Sequence, residues 1–168
     1  DHRINAICAN RSERDIMSGS SLKGFQIVPP VAADKSAWME LWAQYNAFYG
    51  RAGETALPQD VVDTTWARLL DHTCPVAGRV AVGEEGLVGL AHVVFHHNLI
   101  QRQKTCYLQD LFTSPTARGC GVARALIEAV TAMCRARDIS DVYWHTQAEN
   151  VAARRLYDRI GRNTNFVV

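Results

Sequence analysis

Two glycines stand one residue apart directly before an apolar helical pattern. Gly119 and Gly121 follow Arg118, and apolar residues recur at helical spacing from Val122 onward. Glycine costs about 1 kcal/mol against alanine inside a helix, so a local reason for the pair is expected. The first N–H groups of a helix lack acceptors and carry about half a positive charge. Bare backbone at this point, with the forked donors of Arg118, would suit an anion such as a pyrophosphate.

Two common phosphate-binding loops fit this stretch poorly. A dinucleotide-binding turn of the Gly-x-Gly-x-x-Gly type would need a third glycine where Arg124 stands, and an acidic residue about 20 positions on that is not evident. A P-loop would need Gly-Lys-Ser/Thr after the glycines, and none follows. A turn that uses glycine only for its geometry is the alternative without a ligand.

Strands and helices are expected to alternate around this turn. Period-two patterns predict strands at residues 25–28, 76–82, 87–95, 106–112, 141–146 and 165–168. Spacing of three to four residues predicts helices at residues 34–49, 58–70, 122–133 and 150–160. A hairpin meander followed by strand–helix–strand–helix–strand predicts a mixed α+β domain around one sheet.

Composition excludes several classes of protein. The 168 residues are 48 % hydrophobic and 21 % charged, with a formal net charge of +1, as in an ordinary globular domain without a basic field for nucleic acid. No apolar run approaches the ~20 residues of a membrane span. Five cysteines without CxxC spacing argue against a disulfide framework and against a metal site. They favour a reducing, cytoplasmic compartment.

The N-terminal residues 1–24 are polar and show no periodicity. We interpret them as a tail that is disordered or derived from cloning, with Met17 as a candidate natural start. An arm used in dimerisation is the alternative. The predicted domain therefore covers residues 25–168.

Three motifs together resemble a known family. Arg-Gly-Cys-Gly-Val-Ala at residues 118–123 matches Arg/Gln-x-x-Gly-x-Gly/Ala, the acetyl-CoA-binding signature of the GNAT superfamily of N-acetyltransferases. Residues 107–115 resemble the central strand of that family. Residues 150–157 resemble its closing Asn-x-x-Ala-x-x-Leu-Tyr helix. The motifs follow in the family's order and spacing, and the resemblance covers about residues 25–168.

The resemblance implies a GNAT-like fold and acetyl-CoA as the co-substrate. The fold is a single α+β domain, whose mixed, mostly antiparallel central sheet of about six to seven strands is flanked by about four helices. In such folds the central strand separates from its neighbour, and the residues placed beside the pantetheine arm are Leu111, Phe112 and Thr113. The residues placed around the pyrophosphate are Arg118, Gly119, Cys120, Gly121, Val122 and Ala123.

Two further positions carry a role by resemblance. Asn150 would reach the pantetheine arm, although it could equally be a helix N-cap. Tyr157 would be the general acid that protonates the departing thiolate, and its alternative is a core aromatic on an apolar helical stripe. We favour the catalytic interpretation, because the tyrosine belongs to a matching motif.

The reaction also requires a group that removes a proton. An amine must be neutral to attack a thioester, yet a lysine-type amine has a pKa of about 10.4. Asp110 is the one carboxylate in the central strand, and strand alternation predicts that Gln109 and Leu111 point to the opposite face. A structural hydrogen-bond acceptor is an equal alternative for Asp110. His92, His96 and His145 are other proton-relay candidates.

The acceptor end is expected to be aromatic and almost uncharged. The resemblance places the acceptor between the first two helices and their loop, where Glu54 is the one carboxylate. The candidate substrate-binding residues are Tyr45, Tyr49, His92 and His145. We expect a small primary amine, an amino acid or polyamine, rather than protein lysine or an aminoglycoside. The rival hypothesis is a non-catalytic acyl-CoA-binding or sensor module, and a homodimer through the last strand is a further expectation.

Overall fold

Seven strands and four α-helices make up the part of the chain that the structure, a computed structural model, describes: residues 3–7 and 24–167. The strands are β1 (Arg3–Ile7), β2 (Phe25–Val28), β3 (Val76–Gly83), β4 (Gly86–His97), β5 (Lys104–Thr113), β6 (Asp141–Gln147) and β7 (Arg162–Val167). The helices are α1 (Lys35–Phe48), α2 (Gln59–Leu70), α3 (Val122–Arg135) and α4 (Val151–Ile160).

The seven strands form one sheet in the order β2-β3-β4-β5-β6-β1-β7. Among the described strands every neighbouring pair is antiparallel except β5 and β6, which run parallel. This confirms the predicted α+β fold with a mixed, mostly antiparallel sheet. β2 and β7 are the sheet edges, and dimerisation through β7 stays a prediction.

Helices cover both faces of the sheet. On one face, α3 buries an apolar stripe of Val122, Leu126 and Val130, as its helical spacing predicts. Full burial of one such side chain contributes about 1.5–3 kcal/mol. On the other face, α1 and α2 bury a tryptophan cluster in which Trp38 stacks on Trp42 at 4.8 Å between ring centroids. Tyr45, His92 and Asp110, which are described below, lie on this second side of the sheet.

β5 contains a register shift that changes the direction of its side chains. His92 of β4 pairs with Asp110, but the next residue of β4 pairs with Leu108, so Gln109 is an extra residue. An extra residue breaks the two-residue alternation of a strand. Leu108 accordingly packs on the α3 side, whereas Asp110, two positions later, contacts His92 on the α1 side.

Most element boundaries agree with the sequence prediction, and the two chain ends differ. β7 begins at Arg162, three residues before the predicted strand. Residues 3–7 form β1, which pairs with both β6 and β7, although their sequence shows no strand pattern. Residues 8–23 lie outside the described residues, so the rest of the predicted tail and the domain boundary at residue 25 stay predictions. No described helix is long and apolar enough to cross a membrane.

Candidate active site

The glycine pair forms the turn that starts α3. Gly119 and Gly121 have φ angles of +79° and +84°, a left-handed conformation that favours glycine. Gly121 is the residue before the helix, and no side chain caps the N-terminus. A Cβ on Gly119 would meet nothing within 4 Å, so the backbone conformation and not crowding requires glycine there.

Close packing on the sheet places this turn at the end of β5. Gly89 of β4 lies beneath the first turn of α3, and a Cβ there would come 2.8 Å from a methyl carbon of Val122. The N–H of Ser114 also donates to the C=O of Val88 (2.9 Å), which ties the loop to β4. The helix N-terminus is therefore held directly over the sheet.

Several amides at this turn have no acceptor among the described residues. The first helical hydrogen bond runs from the N–H of Ala125 to the C=O of Gly121 (3.0 Å), which leaves the preceding helical amides open. The amides of Gly119 and Gly121 are open as well, whereas those of Arg118 and Cys120 make long bonds of 3.4 Å. The open amides belong to Gly119, Gly121, Val122, Ala123 and Arg124. This set is suited to hold an anion.

A cleft opens where β5 and β6 separate. Their parallel pairing covers three positions and stops at Tyr107 and Tyr143, although β5 continues to Thr113 and β6 to Gln147. One backbone edge of β5 is therefore unpaired beside Leu111, Phe112 and Thr113. The Thr113 hydroxyl oxygen is buried without a hydrogen-bond partner. Buried polar groups are normally paired, so this oxygen indicates a contact that a ligand can complete.

A cavity of about 410 Å³ lies at this separation. Such a volume falls within the ~300–1,000 Å³ of small-molecule sites. It brings together four of the predicted residues, which are Tyr45, Tyr49, Asp110 and His145. It also adds five residues that the sequence analysis missed, which are Arg51, Tyr107, Gln109, Thr146 and Gln147.

Gln109 corrects one prediction about the central strand. Alternation placed Gln109 on the face opposite to Asp110, but both residues line the cavity. The extra residue in the register is the reason, because it turns two consecutive side chains towards the same side. Leu111 does face the α3 side, as predicted.

Asp110 is buried and held from behind by His92. The carboxylate oxygen Oδ2 of Asp110 lies 2.9 Å from Nδ1 of His92, and the indole N–H of Trp38 donates to Nε2 of the same imidazole (2.8 Å). An indole nitrogen only donates, so Nε2 must be an acceptor and Nδ1 carries the proton. His92 is therefore neutral and donates to an acceptor oxygen of Asp110.

This position of His92 differs from the predicted one. The side chain is buried, both ring nitrogens are engaged, and it does not line the cavity. His92 therefore contacts Asp110 and does not face the cavity in which an amine substrate would bind. His96 lies further along β4, where it is exposed and contacts the hydroxyl of Tyr143 (3.0 Å).

Tyr45 closes the cavity from the α1 side. Its hydroxyl donates to the backbone C=O of Gln109 over 3.4 Å, and its ring makes an edge contact with Tyr49 at 5.1 Å. Burial raises the pKa of Tyr45 well above its ordinary value, and the negative charge of Asp110 raises it further. The phenol of Tyr45 therefore stays neutral beside the buried carboxylate of Asp110.

Tyr157 lies on α4, and Asn150 is the N-cap residue directly before this helix. The half-buried ring of Tyr157 packs on Trp144, with 5.3 Å between the ring centroids. Burial raises the pKa of Tyr157, and the nearby Tyr49 raises it to a smaller extent. Tyr157 thus keeps its proton at neutral pH, which a general acid requires. The Asn150 side chain accepts from the N–H of Ala153 (3.3 Å), so the N-cap alternative is present. Cys120 is exposed at the turn before α3.

Comparison with known proteins identifies the family. The sequence model of the Acetyltransferase (GNAT) family matches residues 37–161. The chain belongs to this family. It is therefore an acetyl-CoA-dependent N-acetyltransferase, as the sequence motifs predicted in preference to a non-catalytic module.

Relatives and solved structures extend this result. The D-amino-acid N-acetyltransferase HPA3 of Saccharomyces cerevisiae is 33 % identical over 137 residues, which cover 80 % of this chain and 83 % of the relative. The aminoglycoside N-acetyltransferase AAC(6')-Iy in complex with CoA superposes with a TM-score of 0.74 at 19 % identity, covering 87 % of this chain and 92 % of that one. A ribosomal-protein-alanine N-acetyltransferase from Brucella melitensis superposes with a TM-score of 0.65 at 18 % identity, covering 84 % of this chain and 94 % of that one. The two structures share the fold.

Proposed function

We propose that this acetyltransferase acetylates the primary amine of a small molecule, an amino acid or a polyamine. The observation that carries the proposal is the 410 Å³ cavity at the β5–β6 separation, where one buried carboxylate, Asp110, stands among aromatic walls. A cavity of this size accepts a small acceptor together with the end of a thioester arm. The name of the relative HPA3, a D-amino-acid N-acetyltransferase, agrees with this class of acceptor.

The described residues fit acetyl-CoA at two places. The open amides before and within the first turn of α3 suit its pyrophosphate, and the exposed side chain of Arg118 adds a charge there. The unpaired edge of β5 and the orphaned hydroxyl of Thr113 suit its pantetheine arm. When bound, acetyl-CoA supplies the acetyl thioester. Asn150 would contact the arm through its amide group.

Asp110 is our candidate for the group that takes the amine proton. The neutral His92 donates to one carboxylate oxygen of Asp110 and so fixes the direction of the carboxyl group. The acceptor amine reaches the cavity as an ammonium ion and must lose a proton before it can attack. Asp110 would remove this proton directly or through one water molecule.

Tyr157 is our candidate for the group that returns a proton to the departing thiolate. Burial raises its pKa and so keeps the phenol protonated over the working pH range. The competing role, a core aromatic, is compatible with its packing on Trp144. Only turnover of a variant separates the two roles.

The test is a thiol-release assay with acetyl-CoA against a panel of amines. The panel holds amino acids of both hands, spermidine, a lysine peptide and the aminoglycoside sisomicin. We expect turnover with amino acids or spermidine and a raised melting temperature with acetyl-CoA alone. Turnover confined to the peptide or to sisomicin would overturn the small-amine proposal. The absence of any turnover with the whole panel would overturn it as well.

A further inference from the structure

Arg51 and Asp110 bring charges of opposite sign to the same cavity. It follows Gly50 at the C-terminal end of α1 and lines the cavity, in which it is the one guanidinium and Asp110 the one carboxylate among the described lining residues. The two charges come from different parts of the fold, the end of α1 and the middle of β5. An acceptor in this cavity meets both.

A buried asparagine fixes the direction of the Arg51 side chain. Nε of Arg51 donates to the side-chain oxygen of Asn46 (2.7 Å), and the Arg51 backbone N–H donates to the C=O of the same residue (3.0 Å). Asn46 is 4 % exposed and donates in turn to the C=O of Trp42 (2.8 Å). The guanidinium carbon lies 5.4 Å from the ring centre of Tyr49. These contacts hold Arg51 at the cavity wall.

The outer edge of the guanidinium has no partner among the described residues. Nε is engaged by Asn46, whereas the two terminal nitrogens make no hydrogen bond or ion pair there. Two parallel N–H groups on a planar fork match the two oxygens of a carboxylate. The free edge of Arg51 therefore offers a preoriented carboxylate site beside an aromatic wall.

We propose that Arg51 binds the carboxylate of an amino-acid acceptor whose amine lies towards Asp110. The inference rests on the proposed function and narrows it, because a zwitterionic acceptor matches both charges of the cavity. A polyamine carries cations at both ends and would bring one of them to Arg51, which costs binding free energy. The polycationic aminoglycosides are disfavoured for the same reason.

The experiment compares acceptors that differ only in the carboxylate. Phenylalanine, phenylalaninamide and phenethylamine form one series, and alanine, alaninamide and ethylamine form another, with both hands where chiral. Each kcat/KM is measured for the wild-type enzyme and for Arg51→Leu, and the ratio of the two removes the intrinsic reactivity of each amine. Loss of a charged hydrogen-bonded contact is expected to lower kcat/KM for the amino acids about 10- to 100-fold, mainly through KM. The amides and simple amines should change less than about threefold.

Two further variants and one control sharpen the result. Arg51→Lys keeps the charge without the fork and should fall between wild type and Arg51→Leu. Arg51→Glu should lower turnover of amino acids below that of Arg51→Leu, because the new carboxylate repels theirs. The same variant should increase the turnover of spermidine relative to that of the amino acids. The control, Arg68→Leu, removes an exposed arginine of α2 that does not line the cavity, and it should leave all ratios unchanged.

The outcomes separate this inference from the proposed function. If the wild-type enzyme acetylates small amines but Arg51→Leu lowers kcat/KM equally for amino acids and for their amides, the carboxylate site is wrong and the proposed function stands. A raised KM for acetyl-CoA in Arg51→Leu would also overturn it, because Arg51 would then serve the co-substrate. If the wild-type enzyme acetylates spermidine alone, the carboxylate site is wrong and the proposed function stands. If it acetylates neither these acceptors nor spermidine, the proposed function itself fails.

Discussion

The two ends of the active site are built differently. At the co-substrate end, the candidate contacts for the pyrophosphate are backbone amides from one continuous stretch, from Gly119 into the first turn of α3. At the acceptor end, the contacts are side chains from α1, the following loop, β5 and β6. Backbone groups are common to every residue, so the amides for the pyrophosphate depend mainly on the glycines and on where the helix begins. The second end depends on which side chains the fold brings together, and it can vary while the first stays constant.

The largest expected effect breaks the co-substrate end alone. In Gly121→Glu, a side chain must adopt a φ of +84°, and its carboxylate lies at the positive end of α3. We expect the variant to bind no detectable acetyl-CoA in isothermal titration calorimetry. The matched control is Gly86→Glu, which makes the same change at another positive-φ glycine in the β3–β4 hairpin. That control should lower the melting temperature but keep the affinity, and equal losses in both variants would argue against an anion site at α3.

Asp110→Asn tests the acceptor end. Removal of a general base lowers turnover about 10²- to 10⁴-fold, and the amide keeps the size of the side chain. Acetyl-CoA affinity should stay unchanged, which calorimetry on the same sample can verify. If the turnover of Asp110→Asn stays within about threefold of wild type while the variant folds, Asp110 is the structural acceptor that the sequence left as an alternative.

Tyr157→Phe tests the candidate general acid. Loss of the phenolic proton should lower kcat about 100-fold, at the lower limit of the general-acid range, while acetyl-CoA affinity and melting temperature change little. Thiol release under saturating substrates measures this. An unchanged kcat would assign Tyr157 to packing against Trp144.

The smallest expected effect concerns stability at high pH. Burial raises the pKa of Tyr45 above its ordinary value of 10.0, so the folded state retains a proton that the unfolded state loses. This stabilisation is present below pH 10 and declines as the pH rises above it, by up to about 1.4 kcal/mol per pH unit for one tyrosine. Melting temperatures between pH 8 and pH 11 should fall less steeply for Tyr45→Phe than for wild type. Parallel curves would show that Tyr45 ionises equally in both states.

The sequence predicted the core elements and the turn before α3 in detail. The apolar stripe of α3 and the glycines before it are local patterns, and the structure places them as the spacing indicates. Tyr45, Tyr49 and His145 line the cavity because they lie on predicted elements that meet there, and their role in substrate binding stays a prediction. Arg51 was missed because the search of that loop considered carboxylates alone, although it is the one cation between residues 50 and 57.

What the sequence determined by itself is what neighbouring residues determine: the helix starts, the strand pattern, the turn at Gly121 and the family motifs. Tertiary structure alone decided which side chains share the cavity. The extra residue at Gln109 turns Asp110 towards α1, and pairing between β4 and β5 places His92 behind it. Packing of α1 then brings Asn46 and Arg51 to the same site. The physical reason is that strand register and helix packing join residues far apart in the chain, and a local pattern carries no information about which partner each will meet.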